Sequence, residues 1–318
     1  MSQEQEARRG VLASVTAFLI WGFFPLYLHP LLGVPAEEIL AHRVAWCLPC
    51  VLVWLAWKGK LDEVTAALVQ PQLLSRLVLS ALLMSVNWWV YTWAVVSGRV
   101  LEASLGYFIG PLVNIVLGVS ALGERLSPRQ WLAVSLAAGG VGWMTFAAGG
   151  LPWVSLTLAL SFGVYGLVRK TAPIGAVPGL AVETLLLAPI AMAWLWFFGP
   201  GTLTGSLSTD PLTSVLLACA GLATALPLAL FAAGARLIRY SVMGLITFIG
   251  PSLQWLLGIT LYREPFSGAK AIGFAIIWSG VIVFIADGFL TAGAGGRKAP
   301  RPAGTGPGSP SSGSHDPR

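Results

Sequence analysis

Charged side chains are scarce in this chain. Asp, Glu, Lys and Arg make up 10% of its 318 residues, where a soluble domain carries about 25%, so these residues cannot build a water-facing surface. Cysteine is also sparse: Cys47, Cys50 and Cys219 all lie inside apolar runs. That placement excludes a disulfide framework and a zinc site, and CLPC at 47–50 matches a redox pair only in spacing. The three histidines are too scattered to suggest a ligand cluster, so no metal is expected. The chain has no phosphate-binding glycine loop leading into a nucleotide fold and no HExxH helix, which leaves an enzyme, a cofactor-dependent protein and an ATP-driven pump without support.

Apolar sequence fills the space that charge leaves. The chain is 56% hydrophobic with a mean hydropathy of +0.78. Residues 11–28, 77–96 and 271–286 contain no Asp, Glu, Lys or Arg, and each run can cross a hydrocarbon core about 30 Å thick as a helix. In lipid only helices and closed barrels satisfy their own backbone, and continuous apolar runs favour helices over the ten-residue alternation of a barrel. The expected fold is an all-α polytopic membrane protein with the lipid bilayer as its first partner. Breaks at Pro, Gly and charge divide it into ten transmembrane helices, near 11–32, 35–57, 72–96, 101–121, 128–147, 152–169, 177–198, 212–235, 240–261 and 268–290.

The stretch from Arg99 to Arg125 occurs twice. FIGP stands at 108–111 and again at 248–251, and the same offset pairs Arg99 with Arg239, Asn114 with Gln254, Gly118 with Gly258, Glu124 with Glu264 and Gly140 with Gly280. The chain therefore reads as two copies of one five-helix unit, at 11–147 and 152–290. Residues 1–10 form a polar cytoplasmic N-terminus, and the Gly-, Pro- and Ser-rich residues 291–318 form a disordered cytoplasmic tail. An odd number of helices per unit forces the second to enter from the opposite face, giving inverted repeats, a recurring build of secondary transporters. Duplication that merely yields a stable bundle is the competing reading.

Basic residues set the orientation. With the N-terminus inside, external segments hold only Arg99, Arg263 and Lys270, while the cytoplasmic ones hold nearly all the rest. Both termini are expected in the cytoplasm, and the formal net charge of +6 reports topology rather than nucleic-acid binding.

Polar side chains at membrane depth are costly, so each is a functional candidate. Counting 1.5 Å per residue from Pro35 puts Arg43 roughly 12 Å into the core, beside His42, and Glu183 lies at matching depth in the other half. Arg43 and Glu183 could pair with each other, with helix carbonyls or with a substrate. His42 or Glu183 could carry a proton. Asn87, Asn114 and Gln254 are uncharged candidates for ligand contact or for interhelical hydrogen bonds. Among the 14 Trp and six Tyr, Trp57 and Trp153 suit an interfacial belt, whereas Trp21, Trp88, Trp93, Tyr107 and Tyr165 lie deeper and could line an aromatic pocket. Gly110 with Pro111 and Gly250 with Pro251 are expected to interrupt helices 4 and 9 as hinges, and Gly106 with Gly110 forms GxxxG, a packing motif.

Five stretches carry a family likeness: AEEILAHRVAW at 36–46, NWWVYTWAV at 87–95, LEASLGYFIGPLVNIVLGVSALGERLSPRQWLAV at 101–134, YGLVRK at 165–170 and the second FIGP segment. From about residue 9 to 290 the chain resembles the RarD branch of the EamA family, within the drug/metabolite transporter superfamily. The resemblance implies a bacterial inner-membrane permease of ten helices, duplicated and inverted, in a group associated with chloramphenicol sensitivity. The expected function is thus a secondary transporter of small organic metabolites or drugs, exporting aromatic or amphenicol-like solutes by alternating access, with a proton as the candidate coupling ion. The alternative is a membrane ligand-binding sensor or assembly partner that does not transport. Oligomeric state is not legible.

Overall fold

The computed structural model describes residues 3–122, 127–148, 151–199, 210–235, 237 and 246–295, and among them every regular element is a helix. In chain order these are α1 (Gln3–Gly22), α2 (Phe24–Leu28), a 3-10 turn (His29–Leu31), α3 (Ala36–Trp57), α4 (Leu61–Leu68), α5 (Pro71–Val96), α6 (Val100–Leu122), α7 (Pro128–Ala148), α8 (Trp153–Thr171), α9 (Ala176–Phe197), α10 (Pro211–Ala235), α11 (Ile249–Thr260) and α12 (Gly268–Gly295). Among the described residues, the stretches Glu4–Leu31, Ala36–Trp57, Pro71–Val96, Ala176–Phe197 and Pro211–Phe231 are long and apolar enough to cross a membrane, and Val100–Gly110, Trp153–Arg169 and Gly268–Phe284 are shorter apolar helices.

The boundaries depart from expectation in four places. α1 begins at Gln3, inside the segment read as a polar N-terminus, with Glu4 and Glu6 in its first turn, where acids oppose the positive end of the helix dipole. The first apolar run is not one helix: it turns at Phe23 and restarts as α2 with Pro25 in its first turn, because a Pro lacks the N–H that would continue the ladder. The connection read at 58–71 holds α4, which buries Val64 and Ala67. α12 continues past position 290 to Gly295. Residues 240–245 of the ninth expected helix and the tail from 296 onward lie outside the described residues.

The helices pack as a bundle with its polarity turned inside out. Val53, Phe146, Ile190 and Ile282 are exposed, each by more than 60%; in water such surfaces would aggregate, but lipid solvates them. Arg43, Glu183, Asn87, Thr92, Thr224 and Gln254 are buried. α1 lies against α10 and α11, α8 against α5 and α6, α3 against α9 and α10, α5 against α9, α6 against α11, and α7 along α12. Small residues permit the closest crossings. A Cβ on Gly140 would sit 2.5 Å from Ile277 Cγ1, and one on Gly280 would sit 2.7 Å from the Ala133 carbonyl, so this pair, matched in the sequence, lies within the α7–α12 contact.

The connections at 33–35, 97–99 and 261–267 gather at one end of the bundle, where the His29 and Tyr262 rings meet at 5.3 Å; it is termed the Arg99 end. The Arg169 end holds α4 and the turn that follows α8, where Arg76 donates to the Thr171 carbonyl at 2.9 Å.

Candidate functional site

Arg43 lies two turns into α3 from the Arg99 end and is 5% exposed. Its Nε donates to Thr224 Oγ1 on α10 and its Nη1 to Thr92 Oγ1 on α5, each at 3.1 Å. The Thr224 hydroxyl donates in turn to the Ala220 carbonyl, leaving its lone pairs for the guanidinium. Gly221 makes this geometry possible: a Cβ there would lie 2.1 Å from the Trp46 carbonyl carbon, so α10 and α3 touch backbone to backbone. The guanidinium carbon stands 4.9 Å from the Phe24 ring centre and 5.0 Å from that of Trp88, a double cation–π contact. The ionisable side chains around Arg43 are Tyr91, Tyr107, Cys47 and Tyr27, and among the described residues no carboxylate forms an ion pair with it.

Glu183 holds the corresponding place in α9, two turns in from the Arg169 end, and is 2% exposed. Its partner is a cation at the last position of the expected helix 152–169: Arg169 Nη1 stands 3.6 Å from Glu183 Oε1. Ser80 of α5 donates to the same oxygen, and the Tyr165 hydroxyl lies beside both Glu183 and Arg169. Arg169 Nη2 donates to the Gly175 and Ala176 carbonyls at 2.9 and 3.1 Å, with its guanidinium laid across Gly179. The two deep charges therefore do not pair with each other, although the sequence left that option open.

Asn87 connects the two regions. Its Nδ2 donates to the Leu158 carbonyl at 3.1 Å and to Ser161 Oγ at 3.0 Å, and its Oδ1 accepts from the Tyr107 hydroxyl at 3.2 Å, so Asn87 ties α5 to α8 and α6. Rings continue the connection: Phe24–Tyr91 at 6.1 Å, Tyr91–Tyr107 at 5.8 Å, Tyr107–Phe162 at 6.2 Å and Phe162–Tyr165 at 6.0 Å between centroids. This aromatic file runs from beneath Arg43 to beside Glu183.

The remaining candidates separate. Gln254 Nε2 donates at 3.0 Å to the Trp21 carbonyl, the group that position 25 would bond in a continuous helix had it an N–H, so Gln254 closes the α1 break. His42 is buried and its Nδ1 has no hydrogen-bond partner among the described residues. The side chain of Asn114 lies outside the described residues. The expected hinges differ in kind. α6 runs unbroken through Gly110 and Pro111, whereas Gly250 and Pro251 sit in the first turn of α11 behind a turn at Phe248, where a missing N–H costs no helix hydrogen bond. Gly106, not Gly110, is the packing residue of the GxxxG: a Cβ there would meet the Ser155 carbonyl at 2.8 Å, while one on Gly110 meets nothing within 4 Å.

The Arg99 end is pinned above Arg43. Tyr262 donates to the Pro25 carbonyl at 2.8 Å, and Tyr27 to that of Leu216. Glu264 accepts from the Leu101 amide at 3.1 and 3.2 Å, anchoring the α11–α12 connection at the N-terminus of α6, where anions are favoured. Burial pushes the Glu264 carboxyl up to about 7, against the opposing pull of the Leu101 and Val100 amides and Lys270 and with a small upward push from Glu102.

The sequence reading missed Thr92, Thr224, Ser80, Ser161, Tyr91 and Arg169 as partners. A hydroxyl in an apolar helix is common enough to carry no signal alone. A signal was present for two of them: Trp88 and Thr92, like Asn87 and Tyr91, are four residues apart and share a helix face.

Buried charges and hydroxyls inside a lipid-faced helical bundle define a polytopic membrane protein with a polar interior. Residues 8–146 match the EamA-like transporter family. An uncharacterized transporter of Pseudomonas aeruginosa is 42% identical over 93% of this chain and 98% of its own length. Protein RarD of Escherichia coli is 40% identical over 90% of this chain and 97% of its own. A solved crystal structure superposes with a TM-score of 0.57 over 92% of this chain and 99% of the other, at 20% identity, a likeness of fold alone. The chain belongs to the RarD group of the EamA family in the drug/metabolite transporter superfamily, and is a multi-pass bacterial membrane transporter.

Proposed function

We propose that the protein is a secondary carrier that exports small organic solutes across the inner membrane by alternating access of two inverted five-helix repeats, with both termini cytoplasmic. Exchanging α1 with α8, α3 with α9, α5 with α10, α6 with α11 and α7 with α12 turns each packing contact named above into another of them, which supports a duplicated unit. Pro49 within α3 and Pro189 within α9 stand at the repeat offset, as do Arg43 and Glu183. Arg43, Tyr107 and Asn87 would meet solute at the Arg99 half; Glu183 and Tyr165 would gate the Arg169 half. Bending would come from the α1 break at Phe23 and from the turn before Gly250 and Pro251.

One observation carries this reading: a buried guanidinium with two hydroxyls, two rings and, among the described residues, no paired carboxylate. A structural arginine at membrane depth is normally paired with an acid or with backbone carbonyls. The experiment is solute flux through liposomes containing the purified protein, with amphenicols and aromatic metabolites as the panel and the pH gradient intact or collapsed. Saturable flux is expected, with export direction and proton coupling read from its dependence on the gradients. Solutes that bind but never cross would favour the sensor reading instead.

A further inference from the structure

We propose that the Arg43 site selects organic monoanions, solutes that carry one carboxylate or sulfonate on a flat apolar body, and rejects zwitterions and neutral analogues of the same shape. The inference deepens the carrier reading and rests on it for the site's role, but the selectivity is argued from the site's geometry. Of the guanidinium's three nitrogens, Nε and Nη1 are engaged by threonine hydroxyls, and Nη2 has no hydrogen-bond partner among the described residues. Arginine stays charged under all working conditions and presents a planar fork of donors that fits a carboxylate. A buried charge without a counter-charge carries a large desolvation cost, and an arriving anion relieves it. The Tyr91 hydroxyl, buried and also without a partner among the described residues, belongs to the same cluster and supplies a second donor.

The body of the solute follows from the surroundings. The Phe24 and Trp88 rings lie against the cation and Tyr91 and Tyr107 continue the ring cluster from Phe24, which suits a flat apolar group and offers little to a polyol. Beside them an open groove of about 350 Å³ is lined by Thr16, Leu19, Ile20, Phe23, Phe24 and Tyr27 on one side and Ala223 on the other, with Leu19 and Phe23 exposed at its mouth. Ammonium groups are disfavoured for a separate reason. The ionisable neighbours of Arg43 are tyrosines and a cysteine, while Glu183 is engaged by Arg169. A zwitterion would bring its cation next to a like charge, and among the described residues no carboxylate is paired with Arg43 to receive it.

The test is equilibrium dialysis of the full chain in lipid nanodiscs at pH 7.5 with three radiolabelled probes that share one body: phenylacetate, phenylacetamide and phenylalanine. Phenylacetate is expected to bind at least tenfold more tightly than either of the others, with the preference lost in Arg43→Gln and weakened in Thr224→Val. Equal binding of the three, tighter phenylalanine, no phenylacetate binding, or a preference that survives Arg43→Gln would each overturn the proposal. The wild-type comparison decides it even if the Arg43 variant does not fold. Flux of benzenesulfonate, a permanent anion, through liposomes separates the two claims. Arg43-dependent binding without flux keeps the anion site and defeats the carrier; undiminished phenylacetamide flux in Arg43→Gln keeps the carrier and defeats the anion site.

Discussion

Arg43 and Glu183 stand 140 residues apart in the sequence, each two turns into its helix, and have opposite fates. Glu183 has a cation at 3.6 Å, a serine donor and a tyrosine beside it; Arg43 has hydroxyls and rings. A buried ion pair is costly to break from one side, because the survivor is left charged in a poor solvent. A buried lone charge has the opposite property: its best partner has yet to arrive. In the proposed reading, the Glu183 site is a latch and the Arg43 site is where the solute's charge is received.

The sharpest way to break this contrast is to remove the latch cation. Arg169→Ala should cost about 3–5 kcal/mol, seen as a fall in the thermal unfolding midpoint, and adding Glu183→Gln should restore most of it. If no rescue follows, the pair is not a unit. Next in size, Arg43→Gln should weaken solute binding by about 2–3 kcal/mol, the worth of a charged hydrogen-bonding contact and the penalty of losing it, while the ligand-free midpoint holds or rises. A large fall in that midpoint would make Arg43 structural.

A smaller effect concerns the Arg99 end. The Glu264 carboxyl titrates near 7 in the fold against an ordinary value of 4.5, so the fold favours its protonated form. Its contribution to stability is present in full below about pH 4.5 and is lost as pH rises through about 7. The unfolding midpoint should therefore fall between pH 5 and pH 8, and Glu264→Gln should flatten that slope; an unchanged slope in the variant assigns it to other groups. Smallest of all, Gly110→Ala should be tolerated or should raise stability by about 0.5–1 kcal/mol, since Gly is a poor helix residue and the site has room for a methyl. Flux that collapses in this variant would return Gly110 to the role of hinge.

Much of the fold was legible because lipid imposes a simple rule: long uncharged runs become helices, and Pro, Gly and charge end them. The rule failed where Pro25 sits inside an apolar run, since hydropathy does not register a missing N–H, and at α4, whose amphipathic turn resembles a loop. Depth alone singled out Arg43 and Glu183, but the identity of their partners depends on which helices cross. Arg169, at the end of the expected helix 152–169, passed as one more cytoplasmic cation because residue counting does not show that Gly179 clears a path for its side chain. FIGP appeared twice in the sequence, yet one copy lies within a continuous helix and the other opens one, a difference set by the turn at Phe248.

The most direct test of this contrast is the shift in unfolding midpoint that a bound organic anion produces in Arg43→Gln and in Glu183→Gln. The shift is expected to disappear in the first and to persist in the second. A shift that persists in Arg43→Gln and disappears in Glu183→Gln would contradict it, making Glu183 the solute contact and Arg43 part of the frame.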